Sequence, residues 1–211
     1  MGDFQKQFAA LERQLDHEGI SMQMPFEFNE VCSRFPERYD VRLPVEGSRD
    51  ACRLEEMPWM QLIRDVLGIA TKELWRGVLL SRPGALAQPW HRDSGQLFKG
   101  PTNTPAHAVT IFAPLVEVSS EMGRTSFVPE SHLTDDINCN EVGTSHVTPV
   151  LPYGSWLAFD NRIVHRGEAN SAVDMDRPIL YFVYGKNWFQ DVNNFPSDKP
   201  LYPTPETESP R

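Results

Sequence analysis

From Glu73 onward the chain breaks into short apolar runs separated by Pro, Gly and Asn, and nothing between successive runs has the length and period of a helix. The runs are Trp75 to Leu80, Val109 to Val118, Ser126 to Val128, Val147 to Val150, Ser155 to Phe159 and Ile179 to Tyr184, and they read as strands. Parallel strands need a crossover connection, usually a helix of helical length and period. Its absence excludes a βαβ architecture. What remains is an all-β core with flanking helices, of which a compact antiparallel barrel or double-sheet jelly roll is the best fit.

The N-terminal part has a different character. Phe4, Phe8, Leu11 and Leu15 recur at helical spacing among charged residues, and Gly19 is a natural stop. This amphipathic helix turns its apolar stripe either to its own domain or to a partner subunit, so a homo- or heterodimer through the helix is one expectation. Residues 21–50 carry scattered Pro and charges without a durable period, and a second short helix is expected from Met57 to about Leu67, closed near Gly68. The organisation expected is a single domain over residues 1–195, with a helical part at 1–72 and a barrel core at about 73–190. The tail over 196–211, with Pro196, Pro200, Pro203, Pro205 and Pro210, should be extended or disordered, its start tied to the domain surface.

Charge and cysteine usage narrow the partners. With 20 basic against 29 acidic residues the formal net charge is -9, which argues against nucleic acid but not against a small anionic ligand. Cys32, Cys52 and Cys139 match neither a zinc motif nor a disulfide framework. No run approaches the roughly 20 apolar residues that cross a bilayer, and no basic-then-apolar leader opens the chain. A soluble, cytoplasmic protein without membrane partners is expected.

The chemistry-bearing pattern is His91-Arg92-Asp93, with His165 far downstream in Phe159-Asp160-Asn161-Arg162-Ile163-Val164-His165-Arg166-Gly167. On a strand-like stretch, residues i and i+2 share a face, so His91 and Asp93 can approach one ion together. Two imidazoles and a carboxylate with open coordination positions suit mononuclear non-heme iron(II). Zinc accepts the same donors, so a zinc-dependent hydrolase stays open, as does a noncatalytic barrel acting as a binding or partner subunit.

The run Arg82-Pro83-Gly84-Ala85-Leu86-Ala87-Gln88-Pro89-Trp90-His91-Arg92-Asp93 resembles the phytanoyl-CoA dioxygenase-like family. So do Gly123-Arg124-Thr125-Ser126-Phe127-Val128-Pro129-Glu130-Ser131-His132 and the closing blocks Asp160-Asn161-Arg162, His165-Arg166-Gly167, Asn170 and Arg177-Pro178. The resemblance spans about residues 75–185. It implies a double-stranded β-helix, a jelly-roll and cupin-like barrel, with iron(II) and 2-oxoglutarate in its mouth and O2 as the second cosubstrate. It implies metal binding by His91, Asp93 and His165, a bond from Arg177 to the distal carboxylate of 2-oxoglutarate, and cosubstrate contacts from Gln88 and Thr125. The presence of Asp93 points away from halogenation and towards hydroxylation, desaturation or oxidative rearrangement of a small organic molecule, with succinate and carbon dioxide as co-products.

Read as residues alone, several of these positions keep two meanings. Arg177 opens an apolar strand, where it forms either an anion clamp or an internal ion pair. Arg92, Arg162 and Arg166 are competing anion binders, although Asp160 and Glu168 lie close enough in sequence to neutralise the last two. Trp90, His107, Asn170, Tyr184 and Trp188 are candidates for the substrate pocket, each against a packing or loop-stabilising role.

Overall fold

The computed structural model describes residues 2–43, 56–98, 104–134, 145–191 and 199–202. Helix α1 (Gly2–His17) leads into strands β1 (Phe26–Glu27), β2 (Val31–Phe35) and β3 (Arg38–Arg42). Helix α2 (Met60–Leu67) precedes β4 (Thr71–Ser81), β5 (Ala108–Pro114), β6 (Thr125–Phe127), β7 (Leu157–Asp160), β8 (His165–Gly167) and β9 (Arg177–Lys186). Seven strands form one antiparallel sheet in the order β1-β2-β3-β4-β9-β5-β7, and β6 pairs with β8 in a second. The core is thus all-β with flanking helices and a double-stranded-β-helix-like arrangement of sheets. The closed barrel expected from the sequence is not drawn by the hydrogen bonding, because among the described residues the larger sheet ends at β1 and β7 rather than returning on itself.

Alternation along the strands divides the apolar residues between two faces. On one face, Phe182 and Tyr184 of β9 join Val109 and Ile111 of β5 beneath Trp59, Met60, Ile63 and Leu67 of the α2 region. On the same side, Phe8, Leu11 and Leu15 of α1 cover Val31, Tyr39, Val41 and Leu80. The apolar stripe of α1 is therefore used within the chain. On the opposite face, Ile179, Tyr181 and Val183 meet Phe112, Phe127 and Phe159, which joins the two sheets. The helices seal the outside of the large sheet, and the inside is left for a site.

The strands differ from the sequence expectation where polar residues or prolines decide. The segment at 1–72 is not simply helical, since it holds β1, β2 and β3. Their inward positions include Arg34, Arg38 and Asp40, which line a cavity; the alternation is absent from β2 and only five residues long in β3. The run expected at Val147 to Val150 gives only an isolated bridge from Val147 to Phe127, because Pro149 and Pro152 remove ladder donors. β5 stops at Pro114 rather than Val118, and β8 is only three residues long.

The chain returns at residues 199–202 to close the α1 side. Asn29 donates its N–H to the Lys199 carbonyl (2.9 Å), the Leu201 N–H reaches Glu30 Oε2 (2.8 Å), and the Leu201 side chain is buried under α1. The remainder of the Pro-rich tail, and Cys52 and Cys139, lie outside the described residues. No helix of the described residues is long and apolar enough to cross a membrane.

Ile63 is fully buried in the seam between α2 and the sheet. Ile63→Ala is expected to cost about 2–5 kcal/mol of unfolding free energy, read from the urea midpoint at constant slope.

Candidate metal and anion site

His91 and His165 are brought together by backbone pairing. They form an isolated antiparallel bridge in which each N–H donates to the other's carbonyl, at 3.0 and 2.9 Å. Asp93 follows in a bend that is pinned when Ser94 N–H donates to the Asn161 carbonyl (3.0 Å). One donor atom from each of His91, Asp93 and His165 then lies within 4.8 Å of the others. Asp93 Oδ1 stands 3.7 Å from His165 Nε2 and 4.0 Å from His91 Nε2.

The histidines are oriented from behind. His91 Nδ1 is 2.9 Å from the Pro89 carbonyl and His165 Nδ1 is 3.0 Å from the Ile163 carbonyl. An Nδ1–H donated to each carbonyl selects the tautomer whose Nε2 lone pair faces Asp93, the usual arrangement behind a metal-binding imidazole. Phe159 and Phe127 pack against the His165 ring, with centroids at 5.0 and 5.8 Å. Burial, then the neighbouring His165, lowers the His91 pKa, which favours the neutral ligating form.

The second half of the site is cationic. Arg177 opens β9 at 3% exposure, and its Nε and Nη1 have no hydrogen-bond partner. The β3–β4–β9 pairing sets Arg38, Ser81 and Arg177 in one row, so a second guanidinium stands beside the first. Arg38 is anchored by the carbonyls of Leu86 (2.8 Å), Gly167 (3.3 Å) and Glu168 (2.5 Å). Burial, then the Arg38 charge, pushes the Arg177 pKa down to about 9, and burial takes that of Arg38 to about 10. Burial is the larger cause in both, and the nearby Glu168 charge only partly offsets it.

Gly167 makes this closeness feasible. A Cβ there would lie 2.8 Å from Arg38 Nη1, 2.8 Å from Gln88 Oε1 and 3.1 Å from Arg177 Nη2. Gln88 is braced on the same residue: its N–H donates to the Gly167 carbonyl (2.9 Å) and its Oε1 accepts the Gly167 N–H (3.0 Å). Thr125 pairs with Gly167 across β6 and β8. The triad, Gln88, Thr125, Arg38 and Arg177 all line one cavity of about 420 Å³.

The other candidates are placed differently. Tyr184 lies on the helix-covered face, where its hydroxyl accepts the Trp59 indole N–H (3.1 Å); strand parity puts Tyr181, not Tyr184, on the cavity wall. Asn170 is a buried loop clamp, donating to the Ser81 and Met175 carbonyls and accepting the Ala172 N–H. Trp90 lies under the Arg166 guanidinium at 4.4 Å, and Trp188 is exposed. Neither ring lines the main cavity. His107 lines a smaller neighbouring pocket of about 210 Å³, its Nε2 3.1 Å from Ser94 Oγ.

The competing arginines all have partners. Arg162 is paired with Asp160 (2.7 Å), Arg166 with Glu168 (2.9 Å), and Arg92 donates to the carbonyls of Arg162, Ser131 and Thr134. Arg38, Asp40 and Tyr181 are cavity residues that sequence reasoning missed. The signal was the strict polar–apolar alternation of Arg38-Tyr39-Asp40-Val41-Arg42, confined to five residues.

The Arg177 Nε and Nη1 make no hydrogen bond, so replacing the side chain by an apolar chain of similar length breaks no hydrogen bond at those atoms. Arg177→Met is expected to leave ligand-free stability unchanged or raise it by up to about 4 kcal/mol in thermal unfolding; a large loss would mark a structural arginine.

Comparison with known proteins places this geometry in a lineage. Residues 14–178 match the family model described as phytanoyl-CoA dioxygenase (PhyH). HygX from Streptomyces hygroscopicus, solved with nickel and 2-oxoglutarate bound, has the same fold at a TM-score of 0.64 and 17% identity, over 90% of this chain and 80% of that one. The 2-oxoglutarate-dependent epimerase SnoN from nogalamycin biosynthesis has a TM-score of 0.57 and 25% identity, over 88% of this chain and 74% of that one. Dioxygenase easH of Epichloe festucae var. lolii is 29% identical over 100 residues, 46% of this chain and 54% of its own. Dioxygenase trt7 of Aspergillus terreus is 30% identical over 104 residues, 47% of this chain and 36% of its own. The matched regions thus span about half the length of the first of these dioxygenases and little over a third of the second. Because the matched family model runs over most of the sequence and takes in the triad and Arg177, the chain belongs to the phytanoyl-CoA dioxygenase (PhyH) family.

Proposed function

We propose that this protein is a non-heme iron(II)- and 2-oxoglutarate-dependent oxygenase that oxidises an unactivated C–H bond of a small organic molecule. The observation that carries the reading is a buried Arg177 whose Nε and Nη1 make no hydrogen bond, in the same cavity as a two-histidine, one-carboxylate cluster. An unpaired buried guanidinium is costly unless an anion completes it, and a planar carboxylate matches its fork. The mixed nitrogen and oxygen donors suit iron(II) and leave coordination positions open.

His91, Asp93 and His165 would hold the metal. Arg177, with Arg38 beside it, would take the distal carboxylate of 2-oxoglutarate, while Gln88 and Thr125 flank the space between. Iron(II) with 2-oxoglutarate supplies oxygen activation and oxidation of the substrate by hydroxylation, desaturation or rearrangement, releasing succinate and carbon dioxide. The chain's part is positional. The Pro89 and Ile163 carbonyls fix the imidazoles, Gly167 keeps the guanidiniums close, and Phe112, Phe127 and Phe159 keep water from the wall behind His165.

The two facing sheets would be the walls of a jelly-roll barrel, and residues 1–195 one catalytic domain. A cavity of about 420 Å³ shared with 2-oxoglutarate favours a small substrate over a protein side chain on a large partner. HygX has been solved with hygromycin B, and SnoN with nogalamycin RO, which supports a specialised metabolite as the substrate class here.

The test is anaerobic difference absorption on adding iron(II) and then 2-oxoglutarate. A metal-to-ligand charge-transfer band is expected, with 2-oxoglutarate affinity falling about 10- to 100-fold in Arg177→Met. Gly167→Ala, which pushes a methyl between the guanidiniums, should weaken it about tenfold while the protein stays folded. No band despite measured iron(II) binding and saturating 2-oxoglutarate would overturn the assignment and leave the zinc-hydrolase and noncatalytic readings.

A further inference from the structure

We propose that Asp40 and Tyr181 form the substrate-recognising end of the cavity, accepting a hydrogen bond from a hydroxyl or amine of the organic substrate; this rests on the oxygenase reading above. Arg38 and Asp40 sit two residues apart on the cavity face of β3, about 7 Å along the strand. Arg38 belongs to the row with Ser81 and Arg177, and Asp40 begins the next row, opposite Leu79 and then Ile179. One wall therefore carries a cationic end and, a step away, an acidic end.

The acidic end is built rather than accidental. Tyr181 comes from β9 and lies over Gly77 of the intervening strand, where a Cβ would meet its hydroxyl at 2.8 Å and the Val41 carbonyl at 2.5 Å. Only glycine at 77 lets Tyr181 approach Asp40, whose carboxyl it hydrogen-bonds. Asp40 is half-buried and keeps accessible surface on the cavity, although its Oδ1 is itself enclosed and makes no hydrogen bond. Burial raises the Asp40 carboxyl to about 7, against the Tyr181 hydrogen bond and with a further push from the charge of Asp93. Cys32, directly across β2 from Asp40, is held as a thiol at about 12 by the same burial.

These groups select a ligand by chemistry. A dicarboxylate belongs at the guanidinium end, since Asp40 would repel it. Arg34, the nearest lining cation on β2, already binds Glu27 (3.3 Å). The part of Asp40 open to the cavity can take a donor, and the second molecule in the cavity can supply it. A half-buried acid with an enclosed, unpartnered oxygen lowers stability, so removing it should stabilise a chain in which it serves only binding.

The experiment uses the zinc(II)-substituted protein with 2-oxoglutarate, which cannot turn over, and saturation-transfer NMR with cyclohexanol, cyclohexylamine and cyclohexanone. The parent protein should bind one of the donors about tenfold tighter than the acceptor-only ketone. The tighter of the two identifies hydroxyl or amine as the group recognised. Asp40→Leu should abolish that preference, and Asp40→Asn should raise the thermal midpoint by about 3 °C, with 2-oxoglutarate affinity in the iron protein unchanged. A lower midpoint with the donor preference intact would make Asp40 structural and overturn the proposal. Weaker 2-oxoglutarate binding in Asp40→Asn would assign the residue to the cosubstrate instead and overturn it equally. Failure of the oxygenase reading is separate, because the parent protein would then not bind 2-oxoglutarate at all.

Discussion

The pairing of β4 with β9 is the constraint on which everything else depends. It runs from Thr71 opposite Lys186 to Ser81 opposite Arg177, and every other strand of the large sheet is placed by it. Strand parity along β9 then assigns each side chain a medium. Phe182 and Tyr184 go under α2, Ile179, Tyr181 and Val183 face the second sheet, and Arg177 arrives at the end of the cavity row. A slip of one residue would exchange these sets, burying the guanidinium beneath the helices and turning Tyr184 inward. Core packing and site geometry are the same register seen from two sides.

That register has an electrostatic cost. Arg38 and Arg177 are both buried and adjacent, and Asp40 is half-buried one step away with an enclosed oxygen unpartnered. Arg38 is compensated by three carbonyls, whereas Arg177 has none. The asymmetry separates scaffold from site within one pair of like residues. Arg162 gives the same contrast: it is more deeply buried than Arg177 but saturated by Asp160, Gln96 and Thr104, so it holds loops together. Burial alone therefore says little about an arginine; the unmade hydrogen bond says more.

The legibility of the sequence followed the same division. The long apolar strands β4, β5 and β9 and both helices were visible because each buries a continuous face, with period 2 or 3.6 written in apolar residues. The triad was legible from the shared strand face of His91 and Asp93 with a distant His165, and the ordered motifs singled out Arg177 among the competing arginines. β2 and β3 were hidden because both are short: β2 does not alternate, and the polar–apolar alternation of β3 lasts only five residues. Tyr184 was misjudged for a related reason: an all-apolar strand such as Ile179 to Tyr184 carries no mark of which parity faces the site.

Strands that bury apolar residues on both faces advertise their fold and conceal their direction, whereas strands that line a cavity do the reverse. In β3, Tyr39 and Val41 pack under α1 while Arg38 and Asp40 face inward, so the polar half of the alternation is what gives the cavity its charge. Polar residues at alternate positions ordinarily mean a solvent face, and only a second layer on that side turns the same pattern into a binding wall. Here β6 and β8 supply that layer, and β8 also contributes His165 and the Gly167 gap into which the guanidiniums converge. The smaller of the two sheets among the described residues is thus what turns a half-polar surface into a site.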